Sequence, residues 1–439
     1  MSLQHLLGES TAPLRQPAAY NPTRRVTPAA SVLVPISRTE LAQCQTSVNP
    51  LRTRPPVVGG GAPAAPAPGP GIAGLPAKPQ GPLPPPDREF TPGVGGSGRK
   101  RPNRDDDAPR EAYQGVQKRP RESYAGDVRT VADHYNARPN TDRVSRNDSP
   151  IIGLKNFNNW IKSVLIAKHG RRENDRDKPR IRVLDLGCGK GGDLQKWSRA
   201  GTEEYVGIDI AMVSVEQARD RYEDMHRNRR PPFPASFFAL DCFASSIEEV
   251  LEPTYFDPKP FDVVSMQFCM HYALESEEKA RQMLSNVSRF LRPGGIFLGT
   301  IPDATNLFQH LDTAAEANPD DPAAALEFGN SIYRVKFDAR ESESVYGHRY
   351  TFFLQDAVEE VPEYVVYWDN FVALAAEYGL SCVYSEAFQN IFIDEQDDPQ
   401  FKQLLLRMKV MDEEGNAEMD EDQLDAAMLY MGFAFVKEG

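Results

Sequence analysis

The sequence predicts an α/β fold in which helices cover both faces of a mostly parallel sheet. Between residues 180 and 302, apolar runs with strand periodicity alternate with longer stretches of helical periodicity, and this alternation is typical of parallel sheets. The first run leads into glycines at Gly187, Gly189 and Gly192, and the second ends near Asp209. Glycines between a strand and a helix, followed about twenty residues later by a carboxylate, indicate a Rossmann-like nucleotide-binding unit.

The core elements follow in order along the chain. An amphipathic helix comes first, over 157–167, because Trp160, Ile161, Val164 and Leu165 recur at helical spacing. Strands are predicted at 182–186, 204–208, 235–240, 261–267 and 295–301, with helices between them at 193–199, 214–228, 245–251 and 277–291. Ligands of such sheets lie at the carboxyl ends of the strands. The residues expected at those ends are Gly187, Asp209, Asp241 and Gln267.

After the core sheet, at about 180–302, the pattern changes and a small antiparallel insertion is predicted over about 303–370. Segments 333–337 and 350–354 alternate apolar with polar residues or cluster aromatic ones, as antiparallel strands do. The acidic run 413–425 predicts a solvated loop or the start of a helix, and a last strand is expected at 433–436.

The first 122 residues differ in composition from the rest of the chain. They contain 22 of the 37 prolines and carry 16 Lys and Arg against 9 Asp and Glu, so that this tail is about +7 and the remainder about −20. A proline-rich segment of this kind buries too little apolar surface to offset its ordering entropy, and we expect it to be disordered. Its basic groups at 99–102 and 118–121 are spaced like the halves of a nuclear import signal, or are simply solvated linker charges.

Cysteine usage and hydropathy limit the class of protein. The five cysteines show no Cys-x-x-Cys spacing, which argues against a structural zinc site and against a disulfide framework. No apolar run is long enough to span a bilayer, and the N-terminus lacks a signal-peptide core. The sequence therefore predicts a soluble intracellular protein.

The residues around the glycine loop favour S-adenosylmethionine over other nucleotide ligands. The three glycines also match the Gly-x-Gly-x-x-Gly pattern of dinucleotide sites, but Asp185 and Asp193 on either side would repel a pyrophosphate. The ammonium and sulfonium groups of S-adenosylmethionine suit these carboxylates. Lys190 is followed by Gly191 instead of the Ser or Thr of a Walker loop. A dinucleotide site and a purely structural glycine turn are the alternatives.

Polar residues after the third and fourth strands complete the predicted site. Asp241 can accept the exocyclic amine of adenine, or can simply form a turn. Gln267 is placed to hold the amino acid end of the cofactor. His271 and Tyr272 offer a polar edge and a flat ring for a purine, or are two half-buried aromatic residues at a strand end. Glu363, if buried, would accept the N1 and N2 protons of guanine, although its spacing alone favours a surface carboxylate.

Five segments make the sequence resemble the eukaryotic mRNA cap guanine-N7 methyltransferases, in particular fungal-type enzymes with a long N-terminal extension. They are His-Tyr-Asn at 134–136, Asn-Phe-Asn-Asn-Trp-Ile-Lys at 156–162, the glycine loop at 187–193, Gln-Phe-Cys-Met-His-Tyr at 267–272 and Val-Pro-Glu-Tyr at 361–364. The resemblance extends from about residue 130 to the C-terminus. It implies a class I S-adenosylmethionine-dependent methyltransferase domain over 123–439, whereas the tail over 1–122 has no counterpart.

The resemblance also implies roles for individual residues. It implies that S-adenosylmethionine is contacted by Lys162, Gly187, Asp209, Asp241, Gln267 and Tyr272. It implies that the cap is contacted by Asn158 and Asn159, and that cap recognition or turnover depends on Lys190, Lys196, Arg221, His271, Glu363 and Tyr430.

The implied reaction is methyl transfer from S-adenosylmethionine to N7 of the guanosine cap, with S-adenosylhomocysteine as product. Guanine N7 has a lone pair and no proton, so in-line attack needs neither a general base nor a metal. The expected partner is capped mRNA, with the RNA polymerase II tail or other capping enzymes as further candidates, and the expected protein is a nuclear monomer. A small-molecule methyltransferase and a cofactor-binding scaffold without turnover are the rival functions.

Overall fold

The computed structural model describes residues 126–138, 148–170, 180–226 and 233–439. Helices α1 (Asp127–Ala137) and α2 (Ile152–His169) precede the sheet. Strands and helices then alternate as β1 (Ile181–Leu186), α3 (Leu194–Arg199), β2 (Thr202–Asp209), α4 (Met212–Asp224), β3 (Ala235–Ala239), β4 (Phe261–Gln267), α5 (Glu277–Phe290) and β5 (Leu291–Pro302). Short 3₁₀ helices lie in the connections around β4, at Ile247–Glu249, Pro253–Tyr255 and Met270–Glu275.

The chain then forms a second sheet before it returns to the first. Helix α6 (Ala304–Ala317) and the 3₁₀ helix Ala324–Leu326 lead into four antiparallel strands, β6 (Glu327–Gly329), β7 (Tyr333–Phe337), β8 (Arg349–Leu354) and β9 (Val358–Tyr364). The remaining elements are α7 (Trp368–Glu377), β10 (Leu380–Ala387), α8 (Phe388–Glu395), α9 (Pro399–Arg407), α10 (Glu421–Met428) and β11 (Tyr430–Lys437).

The main sheet has seven strands in the order β10-β11-β5-β4-β1-β2-β3. Strands β1 to β5 pair in parallel, whereas β11 is antiparallel to both β5 and β10. The chain runs outward from β1 to β3 and then crosses back to β4 on the other side of β1. In open α/β sheets the crevice at such a reversal, outside the carboxyl ends of the strands, is where ligands bind.

Both faces of strand β1 are buried because its side chains alternate between two apolar clusters. Leu184 and Leu186 of β1 belong to a buried cluster that includes Met283 of α5. Val183 points the other way and belongs to a cluster with Trp197 of α3. Helices therefore cover the parallel sheet on both sides, and the continuous apolar sequence of β1 reflects this burial.

Helix α2 is held by its apolar side, and this places its polar side near the glycine loop. Phe157 and Trp160 are fully buried, and the Trp160 indole N–H donates to the carbonyl of Phe401 at 3.0 Å. The intervening polar residues Asn159 and Lys162 then reach side chains at the start of α3. A helix that precedes the sheet in sequence thus contributes to the edge where ligands are expected.

The structure confirms the predicted Rossmann-like architecture, including the five core strands, the helix over 157–167, the antiparallel pair at 333–337 and 350–354 and the last strand. The helix predicted over 245–251 is wrong. A single 3₁₀ turn forms there, because Asn286 of α5 binds the loop from outside and donates to the carbonyls of Cys242 and Ser245 at 2.7 and 2.8 Å.

Other expectations have mixed outcomes. The acidic run at 413–425 does contain a helix start, that of α10. The predicted tail over 1–122, with its basic groups, lies outside the described residues. Within the described parts of the chain no helix is long and apolar enough to cross a bilayer, and the four cysteines found there are free thiols.

The packing of β5 between β4 and β11 generates a stability prediction at Gly299. A methyl group at this position would lie 2.0 Å from the carbonyl oxygen of Met266 and 2.7 Å from the Phe433 ring. Because backbone cannot yield as a flexible side chain does, we expect Gly299→Ala to lower the free energy of unfolding by about 1–3 kcal/mol or more. Chemical denaturation measures this change.

Gly192→Ala is the matched control, since nothing lies within 4 Å of a methyl group there and its φ is not positive. We expect its unfolding midpoint to stay at the wild-type value. An unchanged midpoint for Gly299→Ala would contradict the described packing of β5.

Candidate active site

A cavity of about 290 Å³ lies at the carboxyl ends of β1, β2 and β4. The glycine loop forms one wall, and residues from the ends of β2, β3 and β4 form others. Helix α1 adds Asp127, Val131 and Tyr135 from the side of the second sheet. All six residues assigned to the cofactor by the resemblance line this cavity: Lys162, Gly187, Asp209, Asp241, Gln267 and Tyr272.

The glycine loop is pressed against the exit of β4. Gly187 has φ 73°, and a methyl group on it would lie 2.5 Å from Cys269 Sγ. Its N–H donates to the carbonyl of Ile208 at 2.7 Å, which ties the loop to β2. Only glycine fits this conformation and this spacing, so the backbone itself forms the cavity wall.

Asp209 is held by backbone donors on both of its oxygens. The N–H of Gly189 donates to Oδ2 at 2.8 Å and the N–H of Ala211 to Oδ1 at 2.9 Å. Burial raises the pKa of Asp209, while these two hydrogen bonds act in the opposite direction. The side chain is thereby fixed at the end of β2 with lone pairs left for a ligand, and two adjacent hydroxyls such as those of a ribose match it.

Asp241 is fixed in a similar way after β3. Its Oδ1 accepts from the N–H groups of Phe243 and Ala244 at 3.0 and 3.2 Å, and burial raises its pKa. Both hydrogen bonds fall on one oxygen. The other oxygen is suited to accept an exocyclic amine, and Phe243, which also lines the cavity, offers a ring beside it.

The exit of β4 has an unusual backbone conformation. Phe268 has φ 59°, which is rare for a bulky residue and indicates a position that its surroundings determine. Its ring packs edge-on against Tyr430, with centroids 5.0 Å apart, and the Lys162 ammonium lies 5.8 Å from its centroid. Phe268 therefore connects the cofactor cavity to an aromatic wall on the side of β11.

Asp193, at the start of α3, carries two ammonium groups. Lys162 Nζ and Lys196 Nζ lie 2.8 and 2.6 Å from its Oδ1, and Lys196 also donates to Asn159 Oδ1 at 2.7 Å. Burial alone would raise the pKa of Asp193, but the two lysines hold it well below its usual value. The network is a buried, mutually satisfied charge group that joins α2 to α3.

The contacts of the two acidic residues change what the sequence predicted for each of them. Asp185 does not line the cavity, because its Oδ2 accepts from the Tyr205 hydroxyl at 2.7 Å inside the sheet. Asp193 does line it but is already paired with two cations. Lys196 and Asn159 are bound to each other, and their role at the cap stays a prediction. The two acidic residues are therefore not a free binding site for a cationic ligand.

A cluster of positive charge lies beside the glycine loop. Lys190 Nζ donates to the carbonyl of Arg138 at 3.0 Å. The pKa of Lys190 is lowered, first by burial and then by the charges of Arg138 and Arg221. A group of three cations beside the loop is a candidate site for an anion.

A second polar cluster surrounds Glu363 on β9, which is 4% exposed. The Tyr350 hydroxyl donates to its Oε2 at 2.8 Å and the Tyr272 hydroxyl to its Oε1 at 3.3 Å. His271 Nε2 lies 3.4 Å from the same Oε1. Tyr272 also meets the Tyr135 hydroxyl at 3.3 Å, so that one ring both lines the cofactor cavity and reaches the carboxylate.

Comparison with known proteins identifies the family. A sequence model of the mRNA (guanine-N(7))-methyltransferase domain matches residues 118–438. The chain belongs to the mRNA (guanine-N(7))-methyltransferase family. This confirms the resemblance carried by the five sequence segments.

Three relatives illustrate the similarity to this methyltransferase family. The chain is 51% identical over 316 residues to an mRNA cap guanine-N(7) methyltransferase of Cryptococcus neoformans, covering 72% of this chain and 49% of that protein. It is 47% identical over 312 residues to the Schizosaccharomyces pombe protein of the same name, covering 70% and 82%. It is 40% identical over 324 residues to mRNA cap guanine-N(7) methyltransferase 1 of Arabidopsis thaliana, covering 71% and 82%. The match thus spans about half the length of the Cryptococcus relative.

The predicted cap residues of the methyltransferase fall into separate groups. His271 and Glu363 lie together, and Tyr430 packs on Phe268 nearby. Asn158 lies on α2 with a buried Oδ1 that has no hydrogen-bond partner among the described residues. The described residues contain no cluster of three or more His, Cys, Asp or Glu that could hold a metal.

Sequence reasoning missed four residues of this site, namely Tyr135, Arg138, Phe268 and Tyr350. Tyr135 and Phe268 stand inside segments that carry the resemblance, but nothing in their spacing gave them a function. Tyr350 faces Glu363 because β8 and β9 pair antiparallel with these two residues opposite each other. That register depends on the hairpin, which the sequence did not predict.

Asp185 generates a pH prediction for the methyltransferase domain. Burial and the nearby charge of Asp193 raise its pKa to about 7 from 3.8. The folded protein therefore holds a proton that the unfolded chain has lost, so stability is fully present below about pH 4 and falls as the pH rises through 7. Asp185→Asn removes this titration. We expect its free energy of unfolding, relative to wild type, to rise by about 1.4 kcal/mol per pH unit between pH 5 and 7 and then to level off.

Urea denaturation of both proteins at several pH values from 5 to 8.5 measures this difference. The exposed Asp312 on α6 is the control position, since Asp312→Asn makes the same substitution at a carboxylate outside the cavity. A difference that does not change with pH would show that Asp185 is ionised throughout the range.

Proposed function

We propose that this protein transfers a methyl group from S-adenosylmethionine to N7 of the 5′ guanosine cap of mRNA. The observation that carries the proposal is the buried Glu363 carboxylate, which Tyr272 joins to the cavity at the strand ends. A buried carboxylate is costly to keep unless its partners and a ligand supply hydrogen bonds. Membership in the mRNA (guanine-N(7))-methyltransferase family supports the same activity.

The acceptor oxygens of Glu363 match two hydrogen-bond donors of guanine. Each carboxylate oxygen already accepts from one phenol, Oε2 from Tyr350 and Oε1 from Tyr272, and retains a further lone pair. The N1–H and N2–H groups of guanine are two adjacent donors, whereas adenine presents an acceptor at N1. A site built around such an acceptor rejects a base that lacks the matching donors.

The residues of the cavity fit S-adenosylmethionine. Asp209 is placed for the ribose hydroxyls, Asp241 for the adenine amine, and Gln267 with Lys162 for the amino acid end. Gly187 allows the loop backbone itself to form the wall that faces the ligand, because its φ is positive and a side chain there would collide with Cys269. When bound, S-adenosylmethionine supplies a methyl group on a positively charged sulfur.

The proposed chemistry requires positioning more than proton transfer. Guanine N7 attacks the methyl carbon with its lone pair as the carbon–sulfur bond breaks, and the positive charge passes from sulfur to the purine. No proton moves, so neither a general base nor a metal is needed. Glu363 then faces a cationic base, and its negative charge stabilises the charge that develops during transfer.

Phosphate recognition is assigned to the cationic cluster of Lys190, Arg138 and Arg221. The pKa of Lys190 is lowered by burial and by the neighbouring arginine charges, and a triphosphate bridge would relieve this repulsion. Lys196, which the resemblance also named, would act indirectly by holding Asp193 and Asn159. The body of the protein is about −20, so cations close to the cap are needed to hold an RNA end against the overall charge.

We further propose that residues 123–439 are the methyltransferase domain, with the second sheet and its flanking residues, about 303–370, on the cap side, and that the protein works as a nuclear monomer. The basic tail over 1–122 would then supply import signals and grip RNA beyond the cap. The RNA polymerase II tail and other capping enzymes are the proposed recruiting partners.

Incubation of the full-length protein with radiolabelled S-adenosylmethionine and GpppG tests the proposed activity. We expect label at N7 of the cap guanine and none with ApppA, because adenine lacks the donors that match Glu363. Label only in small metabolites would support a small-molecule methyltransferase. Cofactor binding without any transfer would support a scaffold.

Two substitutions separate base recognition from cofactor binding. We expect Glu363→Gln to lower kcat/KM for GpppG by roughly 100-fold, since it removes the charge that stabilises the developing cation, and to leave the Kd for S-adenosylhomocysteine unchanged. Asp209→Ala should weaken that Kd by about 10- to 100-fold, because it removes charged hydrogen bonds.

Glu359→Gln, an exposed carboxylate on the same strand β9, is the matched control and should behave as wild type. Isothermal titration calorimetry gives the Kd values and initial rates give kcat/KM. If Glu363→Gln lost cofactor affinity as strongly as Asp209→Ala, the assignment of Glu363 to guanine would be wrong.

A further inference from the structure

A row of buried polar side chains crosses the sheet beneath the cavity. Asp185 of β1 lies opposite Ser265 of β4, and Gln267 of β4 lies opposite Thr300 of β5. Ser265 and Thr300 are fully buried, and Gln267 is 8% exposed at the cavity. Buried polar groups inside an otherwise apolar sheet are costly unless each one is hydrogen-bonded, and a complete network of this kind specifies one geometry.

The hydrogen bonds of this row run in one direction. The N–H of Phe268 donates to Thr300 Oγ1 at 3.0 Å, and Thr300 gives its own proton to Gln267 Oε1 at 3.2 Å. Gln267 Nε2 donates to Ser265 Oγ at 3.3 Å, and Ser265 is also hydrogen-bonded to Asp185. If the Gln267 amide were reversed, its NH₂ group would face the proton of the Thr300 hydroxyl, and its oxygen would face the lone pair of Ser265 Oγ. The amide is thereby fixed, with one N–H and one lone pair left for the cavity.

Thr300 also holds the strained residue next to Gln267. The N–H of Phe268 is bound by both the carbonyl oxygen and Oγ1 of Thr300, each at 3.0 Å. These bonds favour the left-handed backbone of Phe268, which directs its ring toward Tyr430 and the Lys162 ammonium. The Thr300 hydroxyl thus contacts both the Gln267 side chain at the cavity and the backbone N–H of Phe268, whose ring packs against Tyr430.

We infer that Thr300 is a positioning residue, which sets the amide of Gln267 for the amino acid end of S-adenosylmethionine and holds Phe268 in place between the two ligands. Ser265 supports the same amide from its other side. The inference deepens the proposed function and rests on it for the identity of the ligand. Neither Thr300 nor Ser265 lines the cavity, so both act through Gln267 and Phe268.

The test compares Thr300→Val, which removes the hydroxyl and keeps the shape, with Thr300→Ser, which keeps the hydroxyl. Isothermal titration calorimetry of the full-length protein with S-adenosylhomocysteine gives Kd, initial rates with GpppG give kcat, and urea denaturation gives stability. We expect Thr300→Val to weaken Kd by about tenfold, the loss of one buried hydrogen bond and of amide orientation, and to lower kcat as well. Thr300→Ser should restore both values.

Thr202→Val is the matched control. Thr202 is equally buried on β2 and donates to the carbonyl of Trp197 at 2.7 Å, away from the cavity. The Thr202→Val protein should lose stability without losing affinity for S-adenosylhomocysteine. If Thr300→Val does not fold, Ser265→Ala takes its place and should weaken Kd in the same direction.

A wild-type Kd in the folded Thr300 or Ser265 variant would overturn the inference. An equal loss of affinity in Thr202→Val, or a Thr300→Ser protein no better than Thr300→Val, would do the same. These outcomes are distinct from failure of the proposed function. In that case the wild-type protein would bind S-adenosylhomocysteine without methylating GpppG, and the comparison of Kd values would still decide the role of Thr300.

Discussion

The close contact between the glycine loop and the exit of β4 is the constraint on which the site depends. Gly187 and Cys269 approach so closely that no side chain fits at Gly187, and Cys269 Sγ also donates to the carbonyl of Leu186 at 3.2 Å. This contact fixes the ends of two adjacent parallel strands relative to each other. Asp209 and Gln267 can then face one cavity from β2 and β4, the strands on either side of β1, and Phe268 is carried to the boundary between that cavity and the cluster around Glu363.

Buried charged side chains hold elements of the fold together as well as lining the candidate site. Asp193 forms a buried charged group with Lys162 and Lys196. This group joins α2, the helix before the sheet, to α3, the helix that follows β1. A buried carboxylate between two ammonium groups retains its charge over the physiological range, so this joint is insensitive to pH. A different set of cations, Lys190 with Arg138 and Arg221, lies beside the glycine loop, where burial and the charges of the two arginines lower the pKa of Lys190.

The sequence predicted those parts of the fold and site that depend on short-range patterns. The strand ends at Gly187, Asp209 and Gln267 followed from alternation and from the glycine cluster, since parallel topology brings such ends to one edge. The burial of Glu363 could not be predicted in this way, because it depends on Tyr350, which faces it only through the register of β8 and β9. The roles of Asp185 and Asp193 were misjudged for a related reason: sequence places them beside the loop, but their partners Tyr205 and Lys162 come from other strands and helices.

The phenols around Glu363 suit a reaction in which no proton is transferred. Burial raises the pKa of Tyr135 to about 12 and that of Tyr272, Tyr350 and Tyr430 well above the ordinary value. These hydroxyls therefore remain protonated at any physiological pH, and those of Tyr272 and Tyr350 donate to the carboxylate. Donors that stay protonated keep the hydrogen bonds to Glu363 the same across this pH range, which suits the proposed transfer of a methyl group to guanine N7, where the base gains a positive charge.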